Sequence, residues 1–198
     1  FTAWQKRTVK HYKLDPEFIF YTFILVIVSI VTVSVLQFSH SYSSFYESLI
    51  KGVFQVVSFA TTTGFATADF NSWPLFLPYM LLYAAIIGAC AGSTGGGMKV
   101  IRILLIFKQG FREVQRLIHP RAVIPIKLGR NPVNDRVIEA VWGFFAVYVM
   151  AFMAMLLALL ATGLDIITAF SAVGACINNL GPGLAGVAET YQYLPAAA

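Results

Sequence analysis

Charged residues are the scarcest class in this sequence, and their scarcity excludes most soluble folds. Asp, Glu, Lys and Arg make up 12% of the 198 residues, whereas hydrophobic residues make up 58%. A soluble domain normally carries about 25% charged residues. Three stretches hold no charge at all: residues 18–46, 70–98 and 140–164. Each is longer than the roughly 20 apolar residues that span a bilayer, so the sequence predicts an integral membrane protein.

Cysteine and histidine are also rare, which argues against several kinds of function. The chain has two Cys, and its three His are scattered. Cys90 and Cys176 lie in apolar segments without metal-ligand spacing, so we expect them to be small packing residues. The sequence offers no His cluster, paired carboxylates or nucleophile beside a base, so we predict that the protein is not an enzyme. The first residues do not form a signal peptide, and we expect a piece of a longer chain.

The basic residues fall into two clusters, and their distribution predicts the topology. Four of the fourteen lie in residues 1–15, and nine lie in residues 99–136. The positive-inside rule places residues 1–15 and 108–136 in the cytoplasm and the segments around 41–74 and 165–198 outside. Because the net charge of +5 comes from these two clusters, we expect no nucleic acid as a partner.

The same plan of segments occurs twice along the chain. The first unit, residues 1–118, is predicted to hold a helix over 17–36, a short helix over 44–59, a polar loop over 60–67 and a long broken helix over 75–117. A cytoplasmic linker, 119–133, leads to the second unit, 134–198, with a helix over 134–161, a short helix over 165–177, a loop over 178–183 and no last helix. Gly64 and Gly181, in the two loops, are 117 positions apart. This offset indicates internal duplication.

The two short helices cannot cross a membrane. About 13 residues rise roughly 20 Å as a helix, less than the hydrocarbon core of about 30 Å. Since both ends of each unit lie on the cytoplasmic side, we expect each short helix to enter from outside and return as a loop. Irregular backbone at membrane depth occurs where it lines a water-filled cavity or is buried in protein. The predicted fold class is therefore all-α integral membrane, with repeated helix–pore-helix–filter-loop–helix units.

The polar loops carry the features that replace water around a monovalent cation. Backbone carbonyls can do so without placing full charges in the membrane, and the C-terminal end of a helix favours a cation. We assign ion binding to Thr62, Thr63 and Gly64 in the first loop and to Asn179, Leu180 and Gly181 in the second. The candidate ligands are the carbonyls of Thr62, Thr63, Asn179 and Leu180, and the flanking residues are Thr61, Phe65, Asn178 and Pro182. The alternative interpretation is a pair of tight turns between helices.

A glycine-rich loop, residues 88–99, interrupts the longest apolar segment. Glycine in a helix costs about 1 kcal/mol, so we predict a broken helix with an irregular middle. A phosphate-binding loop does not fit, because Met98 separates Gly97 from Lys99. Two interpretations remain open: a GxxxG packing face between helices and a flexible gate beneath the polar loops. The candidate gate residues are Gly88, Gly92, Ser93, Thr94, Gly95, Gly96 and Gly97.

Three stretches resemble the Trk/Ktr/HKT superfamily of potassium transporters, and most closely its bacterial TrkH members. They are VSFATTTGFATADFNSWP, GACAGSTGGGMKVIR and AVGACINNLGPGLAGVAETY. The similarity covers essentially the whole chain. It implies four helix–loop units around one potassium-channel-like pore, of which this chain would hold the third and most of the fourth. It also implies one key glycine per loop, at Gly64 and Gly181, and a gate in the glycine-rich loop.

The resemblance also implies a function and partners. It implies uptake of K⁺, with some passage of Rb⁺ or Na⁺, across the bacterial inner (plasma) membrane and without a covalent cofactor. The implied partners are membrane lipid, a second copy in a homodimer, and a cytosolic nucleotide-binding regulatory subunit (TrkA-like) that brings ATP, ADP or NAD to the basic segment 108–136. Passive conduction and symport both stay open. The competing hypothesis is a secondary transporter of a small organic solute that uses broken helices, against which the charge-free runs argue.

Overall fold

The computed structural model describes residues 15–74, 76–129, 131–188, 190–192 and 194. Within them lie the helices α1 (Pro16–Phe38), α2 (Phe45–Ala60), α3 (Leu77–Ile87), α4 (Val100–Ile118), α5 (Asp135–Ala161) and α6 (Ile166–Ile177). Two short strands, β1 (Lys127–Leu128) and β2 (Asn131–Pro132), and two 3-10 turns, Phe70–Ser72 and Ala185–Val187, complete the elements. The predicted cytoplasmic segment 1–15, except Asp15, and the end of the second unit, 195–198, lie outside the described residues.

Capping side chains set where four of the helices begin, including α2, which Ser44 caps. The Asp15 carboxylate accepts a hydrogen bond from the Glu17 amide at 2.9 Å, and Pro16 occupies the first turn of α1. Asn134 and Asp165 cap α5 and α6 in the same way. Such caps contribute about 1 kcal/mol each. The helices predicted over 17–36, 44–59, 134–161 and 165–177 correspond to α1, α2, α5 and α6, with ends that differ by at most two residues.

The long broken helix predicted over 75–117 is divided into two helices, α3 and α4. Between Ile87 and Val100 the backbone is irregular. Gly88 and Lys99, at the two edges of this interruption, adopt φ values of 73° and 72°. These left-handed conformations cannot continue a right-handed helix, so the hydrogen-bond ladder stops and restarts here. Because residues 88–99 are not helical, the interpretation of this stretch as a GxxxG helix-packing face is wrong.

Helices α1 and α5 have the length and apolar character of membrane spans. They contain 23 and 27 residues, with mean hydropathies of 2.7 and 2.5. Only 17% and 11% of their most apolar windows are buried inside the chain, so most of their apolar side chains point outward. Phe23 and Met150, for example, are 59% and 63% exposed. A continuous apolar surface of this kind fits contact with lipid rather than water.

The short helices α2 and α6 both pack against α3. Helix α2 packs against α1 and α3, and α6 packs against α5 and α3, so α3 connects the two units. Leu36, Phe59, Leu81 and Leu180 form part of one buried cluster that draws on both units. This core surrounds the C-terminal ends of α2 and α6, and it thereby holds both polar loops in place.

The linker 119–133 contains a small hairpin, which is an addition to the predicted all-α fold. Strands β1 and β2 pair antiparallel across a turn in which Gly129 has a φ of 60°. The Lys108 ammonium donates to the Lys127 carbonyl at 2.6 Å, and Arg112, which is buried, forms an ion pair with Asp135 at 2.9 Å. These contacts tie α4 to the start of α5. The sequence pattern missed the hairpin because its strands have only two residues each.

Gly52 lies where α2 packs closely against α1, and it gives a test of this packing. A methyl group added at Gly52 would lie 3.3 Å from Val33 and 3.4 Å from Leu36. We predict that Gly52→Leu lowers the thermal denaturation temperature in detergent, because overpacking costs about 1–3 kcal/mol. Gly143→Leu, at a position with no neighbour within 4 Å in the described chain, is the matched control. Equal denaturation temperatures for the two variants would contradict close packing of α1 on α2.

Candidate functional site

The first polar loop begins with a hydrogen-bonded turn at the end of α2. The Thr62 amide donates to the Phe59 carbonyl at 3.0 Å, and the Thr63 amide donates to the Ser58 carbonyl at 2.8 Å. This pair of bonds is the Schellman pattern, which satisfies the last carbonyls of a helix. The chain therefore leaves α2 in a fixed direction rather than as a flexible loop.

The second polar loop leaves α6 through the same turn. The Asn179 amide donates to the Cys176 carbonyl at 3.2 Å, and the Leu180 amide donates to the Ala175 carbonyl at 2.9 Å. Each of these residues lies 117 positions after its counterpart in the first loop. The two loops thus share a backbone conformation although TTTG and NNLG share only the glycine.

Both loops contain two left-handed residues. Thr62 and Gly64 have φ values of 56° and 80°, and Asn179 and Gly181 have values of 53° and 92°. Glycine adopts this region freely and Asn tolerates it, but a β-branched residue is strained there. The strained residue, Thr62, is held from outside its loop, because its hydroxyl accepts a hydrogen bond from the Gly96 amide at 2.8 Å.

The carbonyl oxygens at the centre of the loops have no hydrogen-bond donor among the described residues. These are the oxygens of Thr62, Thr63, Asn179 and Leu180. Later carbonyls in each loop accept hydrogen bonds: the Ser58 hydroxyl donates to the Phe65 carbonyl at 2.6 Å, and the Tyr191 hydroxyl donates to the Gly181 carbonyl at 2.8 Å. An unpaired backbone carbonyl requires another partner, such as water or a cation.

The side chains of the second loop are partly withdrawn into the protein. Leu180 is buried in the central core. Asn178, which is fully buried, donates to the Gly174 carbonyl at 2.6 Å and accepts from the Tyr148 hydroxyl at 3.0 Å. Because the side chains of Asn178 and Leu180 point into the protein interior, only the main-chain oxygens of these two residues are available to a ligand.

The two loops contact each other at Gly64. A methyl group added there would overlap the carbonyl oxygen of Leu180 and would lie 3.1 Å from Pro182. Only glycine permits this approach. At Gly181, by contrast, an added methyl group would have no neighbour within 4 Å in the described chain. The two equivalent glycines are therefore required for partly different reasons.

The glycine-rich loop, residues 88–99, packs against the ends of both short helices. A methyl group added at Gly95 would lie 2.9 Å from the Thr61 carbonyl oxygen, and one added at Gly96 would overlap the Asn178 carbonyl oxygen. This loop thus contacts the first residues of both polar loops, and glycines at 95 and 96 allow the backbones to approach.

Two charged side chains hold the glycine-rich loop in shape. The Lys99 ammonium donates to the carbonyl of Ser93 at 3.0 Å, to its hydroxyl at 3.2 Å, and to the Gly95 carbonyl. The Glu17 carboxylate, at the start of α1, accepts a hydrogen bond from the Ala91 amide. Between these contacts, residues 91–94 are exposed in the described chain. Polar contacts rather than apolar burial therefore fix this part of the loop.

A cavity of about 710 Å³ lies against the last residues of the polar loops. Its lining includes Gly64, Asp69, Gly181, Pro182 and Tyr191. The Asp69 side chain caps the adjacent 3-10 turn, accepting from the Asn71 amide at 3.2 Å. Because the glycine-rich loop contacts the first residues of the polar loops, the cavity and that loop lie at opposite ends of the candidate site. The Asp69 carboxylate in the lining of this cavity attracts cations.

Sequence analysis missed two serine side chains on α2 and α6 that form hydrogen bonds to the backbone of the polar loops and of the residues after them. Ser58 on α2 holds the Phe65 carbonyl, as described above. Ser171 on α6 accepts from the Leu184 amide at 3.0 Å and bonds to the Leu184 carbonyl at 3.1 Å. The available signal was a serine on each short helix, in surroundings that are otherwise apolar. Such a hydroxyl needs a partner when it is buried.

Comparison with known proteins decides the family. The profile of the TrkH family, described as cation transport protein, matches residues 12–195. This chain belongs to the TrkH family. The resemblance predicted from the three sequence stretches is therefore confirmed.

Individual TrkH proteins are similar to this chain along nearly its whole length. It is 51% identical to the Trk system potassium uptake protein TrkH of Halomonas elongata, covering 100% of this chain and 41% of that protein. Identity to TrkH of Escherichia coli K12 is 50%, covering 96% and 40%. The crystal structure of the potassium transporter TrkH from Vibrio parahaemolyticus matches with a TM-score of 0.85 and 54% identity, covering 91% and 38%.

The chain is much shorter than these TrkH relatives. It spans about two fifths of the length of each of them. The match to the TrkH crystal structure confirms the predicted fold class, a mostly helical membrane protein with pore-like helix–loop units.

The bond between Thr62 and Gly96 gives a test of how the glycine-rich loop is held. We predict that Thr62→Val accelerates hydrogen–deuterium exchange of segment 92–98 by at least about fivefold, because the part-buried Gly96 amide loses its acceptor and a lost hydrogen bond costs about 1–3 kcal/mol. Thr62→Ser keeps the acceptor oxygen and is the matched control. Exchange as slow in the valine variant as in the serine variant would show that this bond does not hold the loop.

Proposed function

We propose that this chain forms part of a pore through which the complete protein takes up K⁺ across the bacterial inner membrane. The observation that carries the proposal is the set of unpaired carbonyl oxygens on Thr62, Thr63, Asn179 and Leu180, placed at the ends of two short helices. The relatives from Halomonas elongata and Escherichia coli are named potassium uptake proteins. K⁺ is the transported ion in this proposal, and it needs no covalent cofactor.

Ion selection in this proposal rests on main-chain oxygens. A K⁺ ion that enters the membrane loses most of its water, and rings of carbonyls replace the lost ligands. The C-terminal ends of α2 and α6 carry partial negative charge and lie beside these carbonyls. Gly64 and Gly181 allow the backbone turns that follow, so we assign all six residues 62–64 and 179–181 to the filter. Rb⁺ and some Na⁺ pass by the same route.

The chain corresponds to two of the repeated units of such a pore. We assign residues 1–118 to the third repeat, 119–133 to a cytoplasmic linker and 134–198 to the fourth repeat without its last helix. In this orientation the basic segments 1–15 and 108–136 face the cytoplasm, and the cavity with Asp69 opens to the periplasm. Cations therefore reach the filter through a mouth that carries a carboxylate.

We assign gating to the glycine-rich loop. The loop lies against the ends of both short helices, so an ion leaving the filter meets it before it reaches the cytoplasm. The gate consists of Gly88, Gly92, Ser93, Thr94 and Gly95–Gly97. Opening requires the loss of the hydrogen bond between Gly96 and Thr62, while the polar contacts of Lys99 and Glu17 determine how far the loop moves.

We assign two cytoplasmic surfaces to partners. Helix α4 exposes a row of apolar side chains, of which Phe107, Phe111 and Leu117 are 59%, 71% and 83% exposed, and a second copy in a homodimer covers this row. The basic residues of segment 108–136 receive a cytosolic nucleotide-binding regulatory subunit. Electrostatic attraction to such a basic surface favours a partner with an acidic face.

The organic-solute alternative receives less support from the site. Secondary transporters couple solute movement through buried ionisable residues. In the described part of the chain, the polar loops present backbone oxygens and hydroxyl or amide side chains, and no charged residue lies within 61–65 or 178–182. Flux of a labelled solute without flux of Rb⁺ would favour this alternative.

Glycine substitutions in the full-length gene product test the filter. We predict that Gly64→Ala abolishes uptake of radioactive Rb⁺ into membrane vesicles, because the methyl group overlaps the Leu180 carbonyl oxygen. Gly181→Ala should keep partial uptake with weaker discrimination against Na⁺, because it adds only about 1–2 kcal/mol of backbone strain. The control is Gly143→Ala, at a site without close neighbours in the described chain. Wild-type selectivity in both filter variants, at equal amounts in the membrane, would contradict the assignment.

Shortening the glycine-rich loop tests the gate. We predict that deletion of Gly95–Gly97 raises Rb⁺ flux in proteoliposomes and makes the flux independent of added regulatory subunit and nucleotide, because the loop no longer reaches Thr61 and Asn178. The same Gly143→Ala variant should keep the regulated, wild-type flux. Unchanged and still regulated flux after the deletion would count against a gate at this position.

A further inference from the structure

We infer that Tyr191 is a positioning residue of the filter, whose hydroxyl orients the Gly181 carbonyl and thereby affects discrimination between K⁺ and Na⁺. The inference rests on the proposed function, since it assigns a role toward the same loops. The decisive contact is the hydrogen bond from the Tyr191 hydroxyl to the Gly181 carbonyl oxygen at 2.8 Å.

The first loop does not need such a residue, because its own surroundings hold it. Gly64 packs directly against the Leu180 carbonyl and Pro182, so its peptide unit has little room to rotate. The following carbonyl, that of Phe65, is fixed from the pore helix by Ser58 at 2.6 Å. Steric contact and a serine therefore define the end of the first loop.

The second loop lacks both of these restraints at the equivalent positions. Space for a methyl group at Gly181 is open in the described chain. The residue that corresponds to Ser58 is Ala175, which has no side-chain donor. Glycine at a φ of 92° moves between backbone conformations at little cost. Among the described residues, the Tyr191 hydroxyl is the donor that the Gly181 carbonyl meets.

The surroundings of Tyr191 suit a fixed donor. The residue lines the cavity above the polar loops and also a second, apolar cavity of about 250 Å³, whose lining includes Met155, Val173 and Cys176. Tyr191 is 36% exposed in the described chain, but desolvation on the side that faces the protein, together with the nearby Cys176 thiol, raises the pKa of Tyr191 above its ordinary value. The hydroxyl therefore keeps its proton at physiological pH and remains a donor.

A single hydrogen bond at this position affects ion choice for a geometric reason. A carbonyl oxygen has two lone pairs, so one can accept from Tyr191 while the other stays available. With the bond in place, the Gly181 peptide has one orientation. Without it, the peptide samples several orientations, and the spacing and number of carbonyls offered to an ion vary. A variable ring discriminates less between ions that differ in radius.

The experiment compares Tyr191→Phe, Tyr191→Leu and Tyr83→Phe in the full-length gene product, with radioactive Rb⁺ uptake into vesicles and Na⁺ as the competitor. We expect both Tyr191 variants to lower the Rb⁺ to Na⁺ preference by about 2- to 10-fold, the range for loss of one neutral hydrogen bond. Tyr83, on the exposed side of α3, loses the same hydroxyl and should keep the wild-type preference.

Three results would overturn the inference. Wild-type preference in Tyr191→Phe, with a loss only in Tyr191→Leu, would show that the ring matters for packing and the hydroxyl does not. Lower total uptake at an unchanged preference, at equal protein in the membrane, would indicate a merely structural role. Absence of Rb⁺ uptake by the wild type would instead overturn the proposed function and, with it, this inference.

Discussion

Backbone hydrogen bonding at the ends of two short helices is the constraint on which the rest of this structure depends. A helix end must find partners for its last carbonyls, and here the turns after α2 and α6 satisfy them within the backbone. After those turns, the carbonyls of Thr62, Thr63, Asn179 and Leu180 have no donor among the described residues. The central core, with Phe59 and Leu180, then holds both turns against each other. The loops are thus irregular in outline but fixed in position.

Close approach between main chains explains the glycines at the site. The contact of Gly64 with the Leu180 carbonyl and that of Gly96 with the Asn178 carbonyl both exclude a Cβ atom. In each case the neighbour is backbone, which cannot move aside as a flexible side chain can. The first contact joins the two polar loops, and the second joins them to the glycine-rich loop. Three separate segments of sequence therefore form one packed unit.

The sequence predicted the features that occur twice along the chain and those that depend only on neighbouring residues. The offset between Gly64 and Gly181 indicated both loops, and the helices predicted over 17–36 and 165–177 begin within one residue of the observed ones. Contacts made through space were not accessible in this way. Nothing in the pattern around Tyr191 indicates that its hydroxyl reaches a carbonyl ten residues earlier, because that contact depends on how the chain folds back after α6.

The Thr62 hydroxyl links the first polar loop to the glycine-rich loop, and this link couples the proposed filter to the proposed gate. Thr62 belongs to the first loop, yet its side chain holds the Gly96 amide of the glycine-rich loop. Its own left-handed backbone is strained, so it depends on such outside support. In the proposed opening movement the glycine-rich loop withdraws, so that Thr62 loses this support and its carbonyl becomes freer to turn. Under the proposed function, permeation and regulation are therefore not separable modules, and the conducting conformation need not share the ion preference of the resting one.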